Sequence, residues 1–141
     1  MDMSKLKKTI IRHEGKKKKL YKCTADKWTI GVGHNIQDNG LSEAAIQFIF
    51  EEDLSTAIAE CQRNIIGWEN MPGPVQEALV NLVFNMGINR LMQFKKTLGY
   101  LRHGEFEEAA DELLDSRYAR QVPSRAQEVS DMIRSCNRYK H

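Results

Sequence analysis

Residues 13–34 read HEGKKKKLYKCTADKWTIGVGH, and within this stretch the apolar pattern changes from that of a helix to that of a strand. Before the change, apolar residues one helical turn apart predict an amphipathic helix over residues 4–13. After it, residues 20–23 and 27–30 are rich in strand formers and are separated by a short, turn-like link. The sequence therefore predicts a helix followed by a small hairpin.

The remainder of the chain is predicted to be helical. The spacing of apolar residues indicates a long helix from Ser42 to about residue 65, and the almost wholly apolar run at 75–86 indicates a helix buried on every side. Further helices are expected at about 90–102, 105–116 and 123–136. These elements predict an α+β fold with a small N-terminal hairpin lobe, a larger helical C-terminal lobe, a long helix joining them and a cleft between them.

Length and composition exclude several classes of protein. The chain has 141 residues, of which 41% are hydrophobic and 28% charged, so one globular domain is expected and a disordered or fibrous protein is excluded. No apolar run is long enough to cross a membrane, and residues 1–8 lack the apolar core of a signal peptide, so we expect the protein to begin in a cytoplasm. The three cysteines predict free thiols, and no Cys or His spacing indicates a metal or cofactor site.

Charge is distributed unevenly along the chain. Residues 1–27 carry ten Lys and Arg against three Asp and Glu, a net charge of +7, whereas the remainder carries eleven against sixteen, a net charge of −5. A basic segment of this kind suits an anionic polymer such as nucleic acid, a membrane or the bacterial wall. Because a solvated lysine run has the same composition, charge alone leaves these alternatives open.

Three side chains near the N-terminus place a carboxyl, a thiol and a hydroxyl group in one short stretch. Glu14 extends the apolar row of the first helix, so we expect its side chain to be half-buried. Partial burial helps a glutamic acid to keep its proton, which is the form that a general acid needs. Cys23 and Thr29 share a parity across the hairpin turn, and Gly31 and Gly33 permit close approach of the backbone. Taken singly, each residue has an ordinary structural explanation.

The same stretch resembles a known active-site segment. Glu14-Gly15, Tyr21-Lys22 and the run TIGVGH at 29–34 are similar to the corresponding residues of phage-type lysozymes, which are glycoside hydrolase family 24, the T-even phage lysozymes and related endolysins. In that family Glu, then Asp or Cys, then Thr are separated by eight and by five residues, which is the spacing of Glu14, Cys23 and Thr29. The resemblance continues in ALVNLVFNMG at 78–87, in SRY at 116–118 and in QVPSRA at 121–126.

The resemblance implies a mostly helical lysozyme-like domain over residues 1–141, with an N-lobe of about 1–60 and a C-lobe of about 61–141. It also implies a muramidase that hydrolyses the β-1,4 bond between N-acetylmuramic acid and N-acetylglucosamine in peptidoglycan. By analogy, the protein is an endolysin that causes host cell lysis and acts as a monomer on peptidoglycan, without nucleic acid or stable membrane insertion. It is then made in the host bacterial cytoplasm and reaches the wall through a separate pore-forming protein.

The resemblance also assigns roles to individual residues. Glu14 is implied to be the general acid and Thr29 to help place the attacking water, while Cys23 stands where other members have Asp. A thiolate at Cys23, favoured by Lys22 and the nearby lysines, is able to act as base or nucleophile, and Asp26 is the nearest spare carboxylate. The remaining implied residues are two supporting side chains, His34 and Arg125, and four that line the saccharide cleft, Asn35, Phe84, Thr97 and Glu112.

Two other functions stay open at this point. A lytic transglycosylase cleaves the same bond with one acid and no water, so Cys23 and Thr29 at the family spacing favour hydrolysis over it. A non-catalytic module that binds the wall or nucleic acid would explain the basic N-terminal region with its interleaved Tyr21 and Trp28. No nucleic-acid-binding motif accompanies that region, and the acidic remainder would repel a duplex.

Overall fold

The computed structural model describes the backbone of residues 1–139 and the side chains of residues 1–137, so Lys140 and His141 lie outside the described residues. It confirms the predicted α+β fold, in which a small antiparallel sheet accompanies a mostly helical chain. The chain forms two compact units, Met1–Phe48 and the part from Ile49 onward. The single domain and the lobe boundary near residue 60 stay predictions.

The first unit contains the sheet. Its helix α1 spans Met3–Glu14, and its short helix α2 spans Ile36–Asn39. The strands β1, β2 and β3 span Lys17–Lys22, Trp28–Gly31 and His34–Asn35. Both strand pairs are antiparallel, and the order across the sheet is β1-β2-β3. The predicted helix and hairpin are confirmed. The sequence did not predict β3 or α2, because two residues of strand and one helical turn are too short to show a periodic pattern.

The long helix α3 spans Glu43–Asn64, and the division between the two units falls inside it. Its start is fixed by Ser42, whose hydroxyl oxygen accepts a hydrogen bond of 3.1 Å from the backbone N–H of Ala45. The predicted helix from Ser42 to about residue 65 is therefore confirmed.

All the regular elements described in the second unit are helices. A short 3-10 helix at Trp68–Asn70 precedes the helices α4 to α9, which span Gly73–Met86, Ile88–Leu91, Lys95–Arg102, Phe106–Leu114, Arg117–Gln121 and Pro123–Arg134, and a second 3-10 helix lies at Ser135–Tyr139. The predicted continuous helix over 90–102 is wrong, since a turn separates α5 from α6. Leu91 and Thr97 are both buried, whereas one unbroken helix would direct their side chains about 120° apart.

The hydrophobic core belongs to the second unit, because every buried hydrophobic side chain that the structure describes lies between Ala57 and Cys136. In α4, Leu79 and Leu82 have no exposed surface, but Phe84 is 46% exposed and packs edge-to-face on Phe50 with 5.7 Å between ring centroids. The prediction that this helix is buried on every side is therefore wrong. Only part of the apolar surface of this helix packs against the core. The apolar side chains on the remaining part, Phe84 among them, face a groove.

All three cysteines are free, as the odd count predicts. Cys61 lies in the core, and burial raises the pKa of its thiol to about 11. Cys136 is also buried, whereas Cys23 is only half-buried. Of the three, Cys23 is thus the thiol best placed to react. Within residues 1–139, we find no helix whose length and apolar character would let it span a membrane.

Candidate active site

Glu14 is the last residue of α1, since Gly15 adopts a φ of 80° and ends the helix. The expected half-burial of Glu14 is wrong: the side chain is exposed, because α1 contains no buried residue and its apolar row has no core to extend. The Glu14 side chain nevertheless has a close neighbour. A methyl group built on Gly33 would lie 2.9 Å from Glu14 Oε2, so the carboxylate sits directly on the backbone of Gly33.

The turn between β1 and β2 fixes the position of Cys23. The N–H of Cys23 donates to the carbonyl of Lys27 at 3.0 Å, and the N–H of Asp26 donates to the carbonyl of Cys23 at 2.9 Å. Asp26 closes this turn in the left-handed region at φ 59°, which Asp tolerates better than most side chains. The turn-like link read from the sequence is therefore confirmed.

Three hydrogen-bond donors lie near the sulfur of Cys23. The backbone N–H of Lys27, the backbone N–H of Ala25 and the hydroxyl of Thr29 stabilise the thiolate and lower the pKa of Cys23 below its ordinary value. The sequence analysis predicted that Lys22 and the nearby lysines favour the thiolate. The structure shows hydrogen bonds as its cause, while the Lys22 ammonium lies over the Trp28 ring, 4.6 Å from its centroid.

Thr29 is the one buried residue of the first unit within the described part of the chain, with 2% of its surface exposed. It lies on β2, paired with Tyr21 on β1 and with Asn35 on β3. Its hydroxyl donates to the carbonyl of Lys27 at 2.8 Å and is also within hydrogen-bond reach of the Cys23 sulfur. Since a hydroxyl has one proton, it donates to one of these acceptors at a time. The structure therefore brings Cys23 and Thr29 into contact.

Asp26 points away from this pair. Its side chain is 89% exposed, and its carboxylate lies 3.9 Å from the ammonium of Lys22. An exposed ion pair of this kind contributes little to stability. The spare carboxylate near Cys23 is thus engaged with a lysine at the surface of the turn.

His34 and Asn35 organise the loop that follows the sheet. His34 Nε2 lies 2.6 Å from the carbonyl oxygen of Gly40. Asn35 caps α2, since its Oδ1 accepts from the N–H of Asp38 at 3.0 Å and its Nδ2 donates to the Asp38 carboxylate at 2.9 Å. Both polar ends of the Asn35 side chain are therefore occupied in the structure.

The four predicted residues of the second unit fall into two separate depressions. Phe84 and Arg125 line a groove of about 960 Å³. Thr97 and Glu112 line another of about 580 Å³, with the basic side chains Arg90, Lys95, Lys96 and Arg117 around them. Thr97 is 2% exposed, so little of its side chain reaches the surface of that depression.

Two features of the site were missed in the sequence. The contact of Gly33 with Glu14 had only a weak signal, a glycine in a Gly-x-Gly pair. The N–H donors at Ala25 and Lys27 had no signal, because every residue except proline carries that group. Among the described residues, no three His, Cys, Asp or Glu side chains are grouped so that they could hold a metal ion.

The Glu14 carboxyl group lies against the β2–β3 connection, and the turn before β2 carries a thiol with a lowered pKa close to the Thr29 hydroxyl. Carboxyl and thiol groups are both chemically able to exchange protons with a substrate. Comparison with known proteins gives the family. The sequence pattern described as "Phage lysozyme" matches residues 11–134. The chain therefore belongs to the phage lysozyme family. It is a glycoside hydrolase, a lysozyme whose substrate is peptidoglycan.

Relatives from two kinds of organism support this assignment. Two proteins of Dictyostelium discoideum, "Probable T4-type lysozyme 1" and "Probable T4-type lysozyme 2", are 28% and 30% identical to the chain. The first alignment covers 98% of this chain and 99% of the relative, and the second covers 90% and 92%. An "Endolysin" of Acyrthosiphon pisum secondary endosymbiont phage 1 is 32% identical over 74% of this chain and 72% of the relative.

Proposed function

We propose that this lysozyme hydrolyses the β-1,4 bond between N-acetylmuramic acid and N-acetylglucosamine, with Glu14 as general acid and with Cys23 and Thr29 acting on the water. The proposal is carried by one observation: the Thr29 hydroxyl on β2 is within hydrogen-bond reach of the Cys23 sulfur, and the Glu14 carboxylate lies against Gly33 in the connection that follows β2. Hydrolysis needs both an acid and a means of activating water. These three side chains supply both.

Glu14 would give its proton to the bridging oxygen as the bond to the muramic acid carbon breaks. Its side chain is exposed and rests on Gly33 without being enclosed, so a sugar oxygen is able to reach it. The leaving N-acetylglucosamine then departs as a neutral alcohol. Solvent returns the proton to Glu14 after each turnover.

Cys23 would take a proton from the attacking water. The backbone N–H groups of Lys27 and Ala25 favour its thiolate, which is the form able to accept that proton, and the Thr29 hydroxyl adds to them only while it donates to the sulfur. When the Thr29 hydroxyl donates to the Lys27 carbonyl, the lone pairs of Oγ1 stay available to accept a hydrogen bond from the same water. The water's oxygen then bonds to the muramic acid carbon and one of its protons goes to sulfur, so the step balances. His34, Arg125 and the four cleft residues stay predictions in their supporting and binding roles.

Analysis of the products tests this reaction. We expect mass spectrometry of digested peptidoglycan to show fragments with a reducing N-acetylmuramic acid end, and heavy-oxygen water to label that end. A 1,6-anhydro end without label would contradict hydrolysis and establish a lytic transglycosylase. Intact glycan strands after long incubation with the purified protein would contradict both reactions.

We further propose that the enzyme acts as a monomer in host cell lysis, released from the bacterial cytoplasm through a separate pore-forming protein. The support is the phage relative named "Endolysin". Produced in a bacterial cytoplasm, the enzyme is expected to clear a culture only when a phage pore-forming protein is co-expressed. Clearing without the pore would contradict this route, and the Glu14→Gln variant with the pore serves as the control.

A further inference from the structure

Gly31 and Gly33 have the same backbone conformation but different surroundings. Their φ angles are 68° and 64°, in the region that favours glycine. A methyl group built on Gly31 meets no atom within 4 Å. A methyl group built on Gly33 lies 2.9 Å from Oε2 of Glu14 and 3.2 Å from both Cδ and Cγ of the same side chain. The backbone conformation favours glycine at both positions. Only at position 33, however, does the missing side chain leave space that a neighbouring side chain, that of Glu14, occupies.

The backbones on both sides of this contact are fixed. Glu14 ends α1, where the N–H of Gly15 donates to the carbonyl of Ile11 at 2.7 Å. Gly33 lies in the short connection from β2 to β3. The next residue, His34, is held on one side by its pairing with Ile30 in the sheet and on the other by the contact of its ring with the Gly40 carbonyl. The side chain of Glu14 is the movable part, because it is exposed.

We propose that Gly33 is a positioning residue that sets where the Glu14 carboxylate stands relative to Cys23 and Thr29. The inference rests on the proposed role of Glu14 as general acid. The bare backbone at Gly33 is the surface on which the carboxylate lies, and it lies in the connection that directly follows β2, the strand that carries Thr29. Any side chain at position 33 would push the carboxylate away from this surface. Proton transfer depends steeply on such displacement, since about 1 Å of misplacement is able to cost a hundredfold in rate.

The test compares Gly33→Ala with Gly31→Ala, which is a matched control. Both variants force alanine into nearly the same unfavourable φ, so their thermal stabilities should fall alike. The additional clash in Gly33→Ala involves the end of a flexible side chain, so it should move Glu14 without a large further loss of stability. We expect kcat on peptidoglycan to be about tenfold lower for Gly33→Ala than for Gly31→Ala, with little difference in KM.

A second pair of variants separates positioning from a general structural effect. In a Glu14→Asp background the shorter side chain withdraws from Gly33, so adding Gly33→Ala should lower kcat by less than threefold. Equal kcat values for the two alanine variants, or an effect of Gly33→Ala on KM alone, would overturn the proposal. A fully active Glu14→Gln variant would instead refute the proposed function, and this outcome is read independently of the glycine comparison.

Discussion

The Glu14→Gln variant is expected to lose almost all lytic activity while keeping its fold. Glutamine has the size of glutamic acid and should keep the contact with Gly33, but its amide is far too weak an acid to protonate the leaving oxygen. General acid catalysis by a positioned side chain contributes about 10²–10⁴-fold, so we expect kcat to fall by about 10³-fold. The measurement is the rate of turbidity loss of purified peptidoglycan, with circular dichroism as the check on folding.

Glu43→Gln is the matched control for this substitution. It also removes an exposed carboxylate from the first unit, but Glu43 lies in the first turn of α3 and outside the proposed site. A negative charge in a first helical turn stabilises the helix by at most about 1 kcal/mol, so activity should stay within a factor of two of the unmodified enzyme. A Glu14→Gln variant that still cleaves peptidoglycan at the original rate would remove the basis of the mechanism.

The second large effect is expected at Cys23. A serine hydroxyl does not ionise near neutral pH, so Cys23→Ser should lower kcat/KM by about 10²-fold, whereas Cys23→Asp restores an ionised acceptor and should keep most of the activity. The sign of the pH dependence follows from the thiolate being the working form. Hydrogen bonds from Lys27, Ala25 and Thr29 lower the pKa of Cys23. We therefore expect kcat/KM to increase as the pH rises through that lowered pKa, and to be small at pH values below it. The Cys23→Asp variant should keep its activity to lower pH.

Asp26 provides the comparison for Cys23. Its carboxylate pairs with Lys22 at the exposed surface of the turn, so Asp26→Asn should leave kcat/KM nearly unchanged. Full activity of Cys23→Ser together with loss of activity in Asp26→Asn would reverse the assignment and make Asp26 the base. The pH profiles of the three variants, measured on the same peptidoglycan preparation, distinguish these outcomes.

The fold was predictable wherever a local signal was strong. Ser42 before a long amphipathic run fixed the start of α3, and the strand formers on either side of the Thr24–Asp26 link fixed the hairpin. The turn between α5 and α6 was not predictable, because it depends on Leu91 and Thr97 both facing the core. Phe84 likewise belongs to an apolar helix, and only the packing decides which of its side chains face a groove.

The sequence predicts the residue types and the spacing of the candidate site, but it does not predict the surroundings of those side chains. The resemblance selected Glu14, Cys23 and Thr29, and the structure brings the latter two into contact. The environment of Glu14 was predicted wrongly, since the apolar row of α1 gave no information about whether a core lies against it. The lowered pKa of Cys23 comes mainly from backbone N–H groups whose directions are set by the turn, which is why the neighbouring lysines were a misleading signal.

The two tryptophans are divided between the two units. Trp28 in the first unit is 44% exposed and lies beneath the Lys22 ammonium, while Trp68 in the second is 6% exposed. Each unit thus carries an intrinsic fluorophore in a contrasting environment, one in contact with water and one in an apolar core. Replacing either tryptophan by phenylalanine leaves a single tryptophan, so denaturant titrations of the two proteins, followed by tryptophan emission, would report on each unit separately. Coincident midpoints would mean that the units melt as one cooperative body, and separated midpoints would mean two.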